Sequence, residues 1–438
     1  MSDDHIWGVL TSQSDEDALK QHITSTTDDY HGAVASREIH WLHPASGAWL
    51  AKEPDNTWHG WDSKAAAREV SADDWTPWQQ VLDRSAAPYY KWFTGGQTNA
   101  CFNLVDRHLL LGRAEKTAII FEGDRWDPSK NNGRGGPVTE QHISYRNLFQ
   151  EVILRMQVFK DLGLTKGDRI AFNLPNIPEQ VFYMLAAQRM GVVYTPVFGG
   201  FSAKTLSDRI HDAGAKLVIT ADGGYRNAEV VAYKGTYTDP ALANYIPREA
   251  ALRTLKAVLA TYNLGDVADT LYADVSEALG GEITLERSDV MRELGASLVK
   301  QQSIAAELIA DLRTAVARQL ADAKHDVDNV IVVEYTGQEI VEHGRDRWSN
   351  DLVDSAKAKI ATQLGLASFD DLAQEDAEAV WSKLNAVLPV EGVDSNFPLF
   401  IIYTSGSTGK PKGVVHTHGS WLSGVSHTMR TVFNATPD

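Results

Sequence analysis

From about residue 92 onward the apolar positions follow two alternating rhythms. Short apolar runs at 117–122, 169–175, 192–197, 216–220, 330–333 and 399–403 predict strands. Between them lie stripes at helical spacing. Leu148, Val152, Met156, Phe159 and Leu162 share one face, with Ser144 as the N-cap and Gly163 as the stop. A second helix begins near Pro178, carries Val181, Met184 and Leu185 and stops at Gly191; a third, capped by Ser202, carries Leu206 and Ile210. Strands alternating with helices of this length predict βαβ units around a parallel sheet, and hence an α/β fold.

Two stretches break the alternation. Residues 238–326 show no convincing strand but three helical stripes. The first is Leu252, Leu255, Leu259 and Tyr262, with Pro247 near its first turn. The second is Val267, Leu271, Val275 and Leu279; the third is Ile304, Leu308, Leu312, Val316 and Leu320. A second helical and acidic stretch covers 355–392. Eight of the 12 tryptophans fall before residue 100: Trp7, Trp41, Trp49, Trp58, Trp61, Trp75, Trp78 and Trp92. Indoles at such density predict an irregular apolar wrap over a larger domain, each N–H finding a partner, with a carbohydrate platform as the alternative. The resulting division is 1–90 Trp-rich wrap, 91–237 first βαβ subdomain, 238–326 helical insertion, 327–354 return to the sheet, 355–392 second helical insertion, and 393–438 strand, glycine-rich loop and following helix. A packing collar and a protein-docking surface are both open to the insertions.

Composition narrows the function. The 438 residues, 43% hydrophobic, suffice for a large core. Lys and Arg number 41 against 58 Asp and Glu, a net charge of −17, and no basic run is interleaved with aromatics, which argues against nucleic-acid binding. Cys101, the single cysteine, forms no internal disulfide and fits a reducing cytosol. The acidic start MSDDHIW lacks the apolar core of a secretory signal, and no window approaches 18 apolar residues, so a cytoplasmic protein without a membrane span is expected.

The most informative segment is 403–413, YTSGSTGKPKG, directly after an apolar strand. Glycines let the backbone N–H groups approach an anion, hydroxyls donate to phosphate oxygens, and Lys410 and Lys412 add positive charge. The spacing of the usual phosphate loop fails here, because Gly406 is followed by Ser-Thr-Gly-Lys-Pro. The loop instead resembles the signature loop of the AMP-forming, adenylate-forming ligases. Further blocks stand in order with it: WFTGGQTNACFNLVDRH at 92–108, KGDRIAFNLPNIPE at 166–179, VFGGFSA at 197–203, ITADGGYR at 219–226 and GRDRW at 344–348. Together they resemble the N-terminal domain of acetyl-CoA synthetase and its propionyl-CoA relatives, over most of 90–235 and 328–438.

That resemblance implies the N-terminal portion of the adenylate-forming ligase fold. It also implies a reaction in which a short carboxylic acid, ATP and coenzyme A give acyl-CoA, AMP and pyrophosphate through an acyl adenylate, with Mg²⁺ as the metal. Thr404, Ser405, Gly406, Ser407, Thr408, Gly409, Lys410 and Lys412 would contact the ATP phosphates, with Thr408 and Lys412 acting in catalysis; Pro411 suggests that Lys410 points to solvent. Gly199 and Gly200 would line the coenzyme A channel and Arg226 would contact its nucleotide end. A second family arginine, three positions on, is here Glu229, one turn away if the segment is helical. No protein ligand for the metal is identified. About 25 residues follow the loop. In the family the adenine-contacting segments, the acid serving the metal and a mobile C-terminal domain with its catalytic lysine come later, which implies the leading part of a longer enzyme, inactive alone.

Three readings remain open: a stand-alone acetyl- or propionyl-CoA synthetase, the ligase portion of a multifunctional propionyl-CoA synthase acting on 3-hydroxypropionate and fused to further enzyme domains, and a non-catalytic nucleotide-binding scaffold. Asp106, Arg107 and His108 could pass for a catalytic trio, but a buried polar network under the Trp-rich segment is the simpler expectation. His416 and His418 could suggest a metal pair; without a nearby carboxylate or cysteine, His418 reads as part of the helix start after the loop.

Overall fold

The computed structural model describes residues 12–53, 55–62, 68–72, 75–227, 229–301, 303–323, 325–404, 411–433 and 435. Its organising element is a seven-stranded sheet. In chain order the strands are β1 Arg169–Asn173, β2 Val193–Pro196, β3 Leu217–Ala221, β4 Asn329–Val333, β5 Asp346–Trp348, β6 Pro398–Thr404 and β7 Lys412–Thr417. They lie in the order β5-β4-β3-β1-β2-β6-β7. Every neighbouring pair is parallel except the edge pair β6–β7. The mixed α/β architecture is therefore present, and five of the six expected strands lie in this sheet with ends shifted by a residue or two; Thr117–Glu122 instead forms a separate antiparallel pair with Glu140–Ser144.

The continuous apolar runs follow from a sheet covered on both faces. Ile170, Phe172, Ile219, Ile331 and Val333 join one core, with the helices Tyr145–Asp161, Pro178–Met190, Ser349–Leu364 and Ala377–Val387. Their alternates Ala171, Val218, Val330 and Val332 join another, with Leu206 and Ile210 of the helix Ala203–Ala213. The caps are as expected. The Ser144 and Ser202 hydroxyls accept from the amides of Asn147 and Thr205, and Gly163 and Gly191 end their helices at φ 78° and 69°.

Three expectations need correction. The stretch 238–326 does contain strands: Tyr245–Pro247 and Thr284–Glu286 form a short antiparallel ribbon. Three residues are too few for a readable period-2 signal. The stretch also holds four helices of 13 residues or more, not three: Arg248–Ala260, Asp266–Ala278, Arg287–Lys300 and Ala306–Asp322. They pack around their own core, with Leu255, Leu271, Val290, Leu294, Leu312 and Val316 at its centre. This unit leaves the chain between β3 and β4, which are themselves paired. It is tied back through Asp208, whose carboxylate accepts from the Thr284 amide, and through Lys204, 2.7 Å from Glu282. Finally, the Trp-rich region is regular rather than irregular, with two helices, Gln13–Ser25 and Thr27–Glu38, and an antiparallel sheet of four strands. Its strand Ala48–Lys52 is buried on both faces, which hid the alternation. Trp49 stacks on Phe102 at 4.3 Å and the Trp41 indole donates to the Ala35 carbonyl, so this region packs onto the main core.

Candidate functional site

In the sheet order, β1 sits between β2 and β3. The chain therefore leaves β1 in one direction and returns on its other side, and a crevice opens at the carboxyl ends of these strands, the usual ligand position in such sheets. A cavity of about 530 Å³ lies there. Each wall follows a strand: Leu174, Pro175 and Asn176 after β1, Val197 to Gly200 after β2, Tyr225 and Arg226 after β3, Tyr335 after β4 and Ile402 near the end of β6.

The glycines are dictated by close contacts. A Cβ on Gly199 would stand 2.2 Å from the Tyr233 hydroxyl oxygen, and one on Gly200 would stand 2.9 Å from the Phe198 ring and 3.4 Å from a guanidinium nitrogen of Arg226. A Cβ on Gly223 would meet the Thr336 hydroxyl at 2.3 Å, and one on Gly224 the Tyr233 ring at 2.7 Å. Gly199, Gly200 and Arg226 thus share one cavity although Gly200 and Arg226 stand 26 positions apart in the sequence. The segment after Arg226 is not helical. Gly224–Arg226 and Glu229–Val231 form a hairpin in which Arg226 pairs with Glu229, and Asn227 takes φ 53° at the turn.

Asp222, unremarked in the sequence, organises the cavity's far wall. Its buried carboxylate accepts from the amides of Gly223, Tyr335, Thr336 and Gln338 and from the Thr336 hydroxyl. The turn after β3 is thereby bound to the loop after β4, and Tyr335 is held edge-on to Tyr225 at 5.6 Å. Tyr233, which closes against two glycines, was also missed. Both residues act through contacts far apart in sequence, so only the chemistry-neutral TADGGY wording stood near them.

The glycine-rich loop meets this site through its two ends. Thr404 at the end of β6 pairs with Lys412 at the start of β7, and both side chains are exposed. Ile402, two residues before Thr404, lines the cavity. Ser405, Gly406, Ser407, Thr408, Gly409 and Lys410 lie outside the described residues. Beneath the strand end, the Tyr403 hydroxyl donates to Asp212 at 2.6 Å, and Arg209 lies over the Tyr403 and Phe201 rings. Burial, then Asp212, raises the Tyr403 phenol above its ordinary range, so it remains a neutral donor.

The other sequence candidates fall elsewhere. Asp106 is fully buried, bound by Arg189 at 2.9 Å and by the Trp381 indole N–H, whereas Arg107 donates to the Glu38 carbonyl and His108 lies against Tyr145. No catalytic trio forms from these three. His418 begins the helix His418–Thr431 and accepts from the Ala100 amide at 3.0 Å; burial pushes its pKa down to about 3, so it is neutral. His416 instead stacks on Phe400.

The family model for AMP-binding enzymes matches residues 112–438, and the chain belongs to that family. The model for the acetyl-coenzyme A synthetase N-terminus matches residues 61–104. Among curated proteins, an acetyl-coenzyme A synthetase of Mycobacterium tuberculosis is 32% identical over 375 residues, 85% of this chain and 40% of the relative. One of Streptomyces avermitilis is 30% identical over 421 residues, 96% of this chain and 42% of the relative, and one of Methylobacillus flagellatus is 33% identical over 385 residues, 88% and 40%. The chain thus spans about 40% of the length of the relatives it matches. Among the described residues no helix is long and apolar enough to cross a membrane.

Proposed function

We propose that this chain supplies the coenzyme A-binding face and the pyrophosphate-handling loop of an ATP-dependent, AMP-forming ligase acting on a short carboxylic acid. One observation carries the reading: Gly199, Gly200 and Arg226 line a single cavity at the carboxyl edge of the sheet, beside the strand that leads into the loop. In the first half-reaction the acid's carboxylate attacks the α-phosphorus of ATP and pyrophosphate leaves. Thr404 and Lys412, with Ser405 and Thr408 between them, meet the negative charge that grows on the leaving group. In the second, the coenzyme A thiol attacks the acyl carbon and AMP leaves. Arg226 holds a phosphate of coenzyme A remote from that bond, and the glycines let the rest of the molecule run close to the backbone.

Magnesium fits this arrangement as a passenger on the nucleotide. The strand end offers a hard hydroxyl oxygen at Thr404, and among the described residues no group of three or more His, Cys, Asp or Glu forms a cage. When bound, the metal supplies charge neutralisation on the phosphates. Acetate is the first acid to test, because the matched curated relatives are acetyl-coenzyme A synthetases. The four-helix unit between β3 and β4, with a core of its own, favours a second reading as the ligase portion of a multifunctional propionyl-CoA synthase acting on 3-hydroxypropionate, for which the unit is a docking surface. Cys101, buried and unpaired, suits a cytoplasmic setting. The test is acid-dependent AMP release from ATP and coenzyme A by the native protein that carries this chain, with acetate, propionate and 3-hydroxypropionate compared. No AMP release with any of them contradicts the proposal.

A further inference from the structure

A second cavity, about 1210 Å³, shares no lining residue with the first. It lies where the Trp-rich sheet, the segment around 104–117 and the helix His418–Thr431 meet. In a chain of net charge −17, its wall gathers Arg37, Arg107, Arg113 and Lys116 together with His40, His59 and His108. The carboxylates on the same wall are Glu38, Glu53 and Glu115, and Glu115 is engaged by Arg146 at 2.6 Å.

Two features mark this wall as built for an anion. Polar atoms with almost no exposed surface lie behind it without partners: His40, only 8% exposed, has no hydrogen-bond partner at Nδ1, and half-buried Arg107 has none at Nε. Leaving such groups unpaired costs roughly 1–3 kcal/mol each, so folding alone does not favour the arrangement. The cationic groups also oppose one another. Burial, then Arg107 and His108, pushes His40 well down; burial, then Arg107 and Arg113, takes His108 to about 3; and Arg107 falls to about 10, chiefly through burial. The Arg113 guanidinium stands 3.4 Å from His108 Nδ1. A guest with two negative charges would relieve this opposition, which a neutral or cationic guest would not.

We propose that this cavity is a binding site for a small phosphorylated metabolite, separate from the coenzyme A cavity, with the phosphate held by Arg107, Arg113 and His40. Its volume is ample for a sugar phosphate. The probes are ribose 5-phosphate and inorganic phosphate, titrated calorimetrically into the full chain, with ribose as the uncharged control. Binding of ribose 5-phosphate should persist in the Lys412→Ala/Arg226→Ala protein and weaken at least tenfold in Arg113→Gln/Lys116→Gln, while ribose itself does not bind. Tighter binding of ribose 5-phosphate than of inorganic phosphate supports an organic phosphate; the reverse order overturns that part. Because Arg107→Gln could disturb packing, the C2 proton resonances of His40 and His108 provide a second readout in the unaltered chain, and both should move on saturation. Binding that Lys412→Ala/Arg226→Ala abolishes and Arg113→Gln/Lys116→Gln spares would overturn the proposal. So would no binding at millimolar ligand. Neither result contradicts the ligase reading, which rests on the other cavity.

Discussion

Arg226, on the cavity wall, stands opposite Glu229 in the register of a tight hairpin. If the cavity receives the phosphates of coenzyme A, Glu229 repels what Arg226 attracts. Glu229→Arg should lower the KM for coenzyme A by roughly fivefold, a modest change because both groups are exposed and screened. The effect should shrink as salt is raised. A coenzyme A KM that does not move at low salt would remove this hairpin from the binding site.

Gly199 is the tightest point of the turn after β2. An added methyl would lie 2.2 Å from the Tyr233 hydroxyl, so Gly199→Ala must displace that ring. Overpacking of this kind costs about 1–3 kcal/mol, readable as a lower midpoint in urea. Tyr233→Ala opens the space, so the double variant should lose less stability than the two single losses added together. Strict additivity would show that the two residues do not touch.

Asp106 and Arg189 form an ion pair with neither side chain exposed, and the Trp381 indole donates to the same carboxylate. Asp106→Ala leaves a guanidinium buried without its counter-charge, which typically costs about 3–5 kcal/mol. Denaturation should show a loss of that size. A loss under about 1 kcal/mol would mean that the pair is solvated.

Lys412 begins β7 at the mouth of the glycine-rich loop. Neutralising a leaving pyrophosphate is an interaction that grows toward the transition state, so Lys412→Ala should lower ATP–pyrophosphate exchange by roughly a hundredfold while the ATP KM changes far less. Exchange at the unaltered rate would take Lys412 out of adenylation.

Much of this molecule could be read from its residues. Short continuous apolar runs located the main sheet because both its faces are covered, period-3.6 stripes located its helices, and the cap residues Ser144, Ser202, Gly163 and Gly191 marked helix ends by local chemistry alone. The ribbon Tyr245–Pro247 with Thr284–Glu286 was illegible because it depends on a pairing across some 40 residues. Motif wording singled out Gly199, Gly200 and Arg226, which line one cavity, and Thr404 and Lys412, which pair at the strand ends beside it. Asp222 and Tyr233 were not, since a carboxylate that gathers amides from the loop after β4 and a ring that closes on two glycines gain their meaning only in three dimensions.

The most direct test of the account is Arg226→Ala in the native protein, with both half-reactions measured. A guanidinium on a coenzyme A phosphate acts far from the reacting bond and contributes nothing to adenylate formation. The coenzyme A KM should therefore rise about tenfold or more, while ATP–pyrophosphate exchange with the same acid stays at the level of the unaltered protein. An unchanged coenzyme A KM, or a fall in exchange matching the fall in overall turnover, would contradict the assignment of this cavity to coenzyme A.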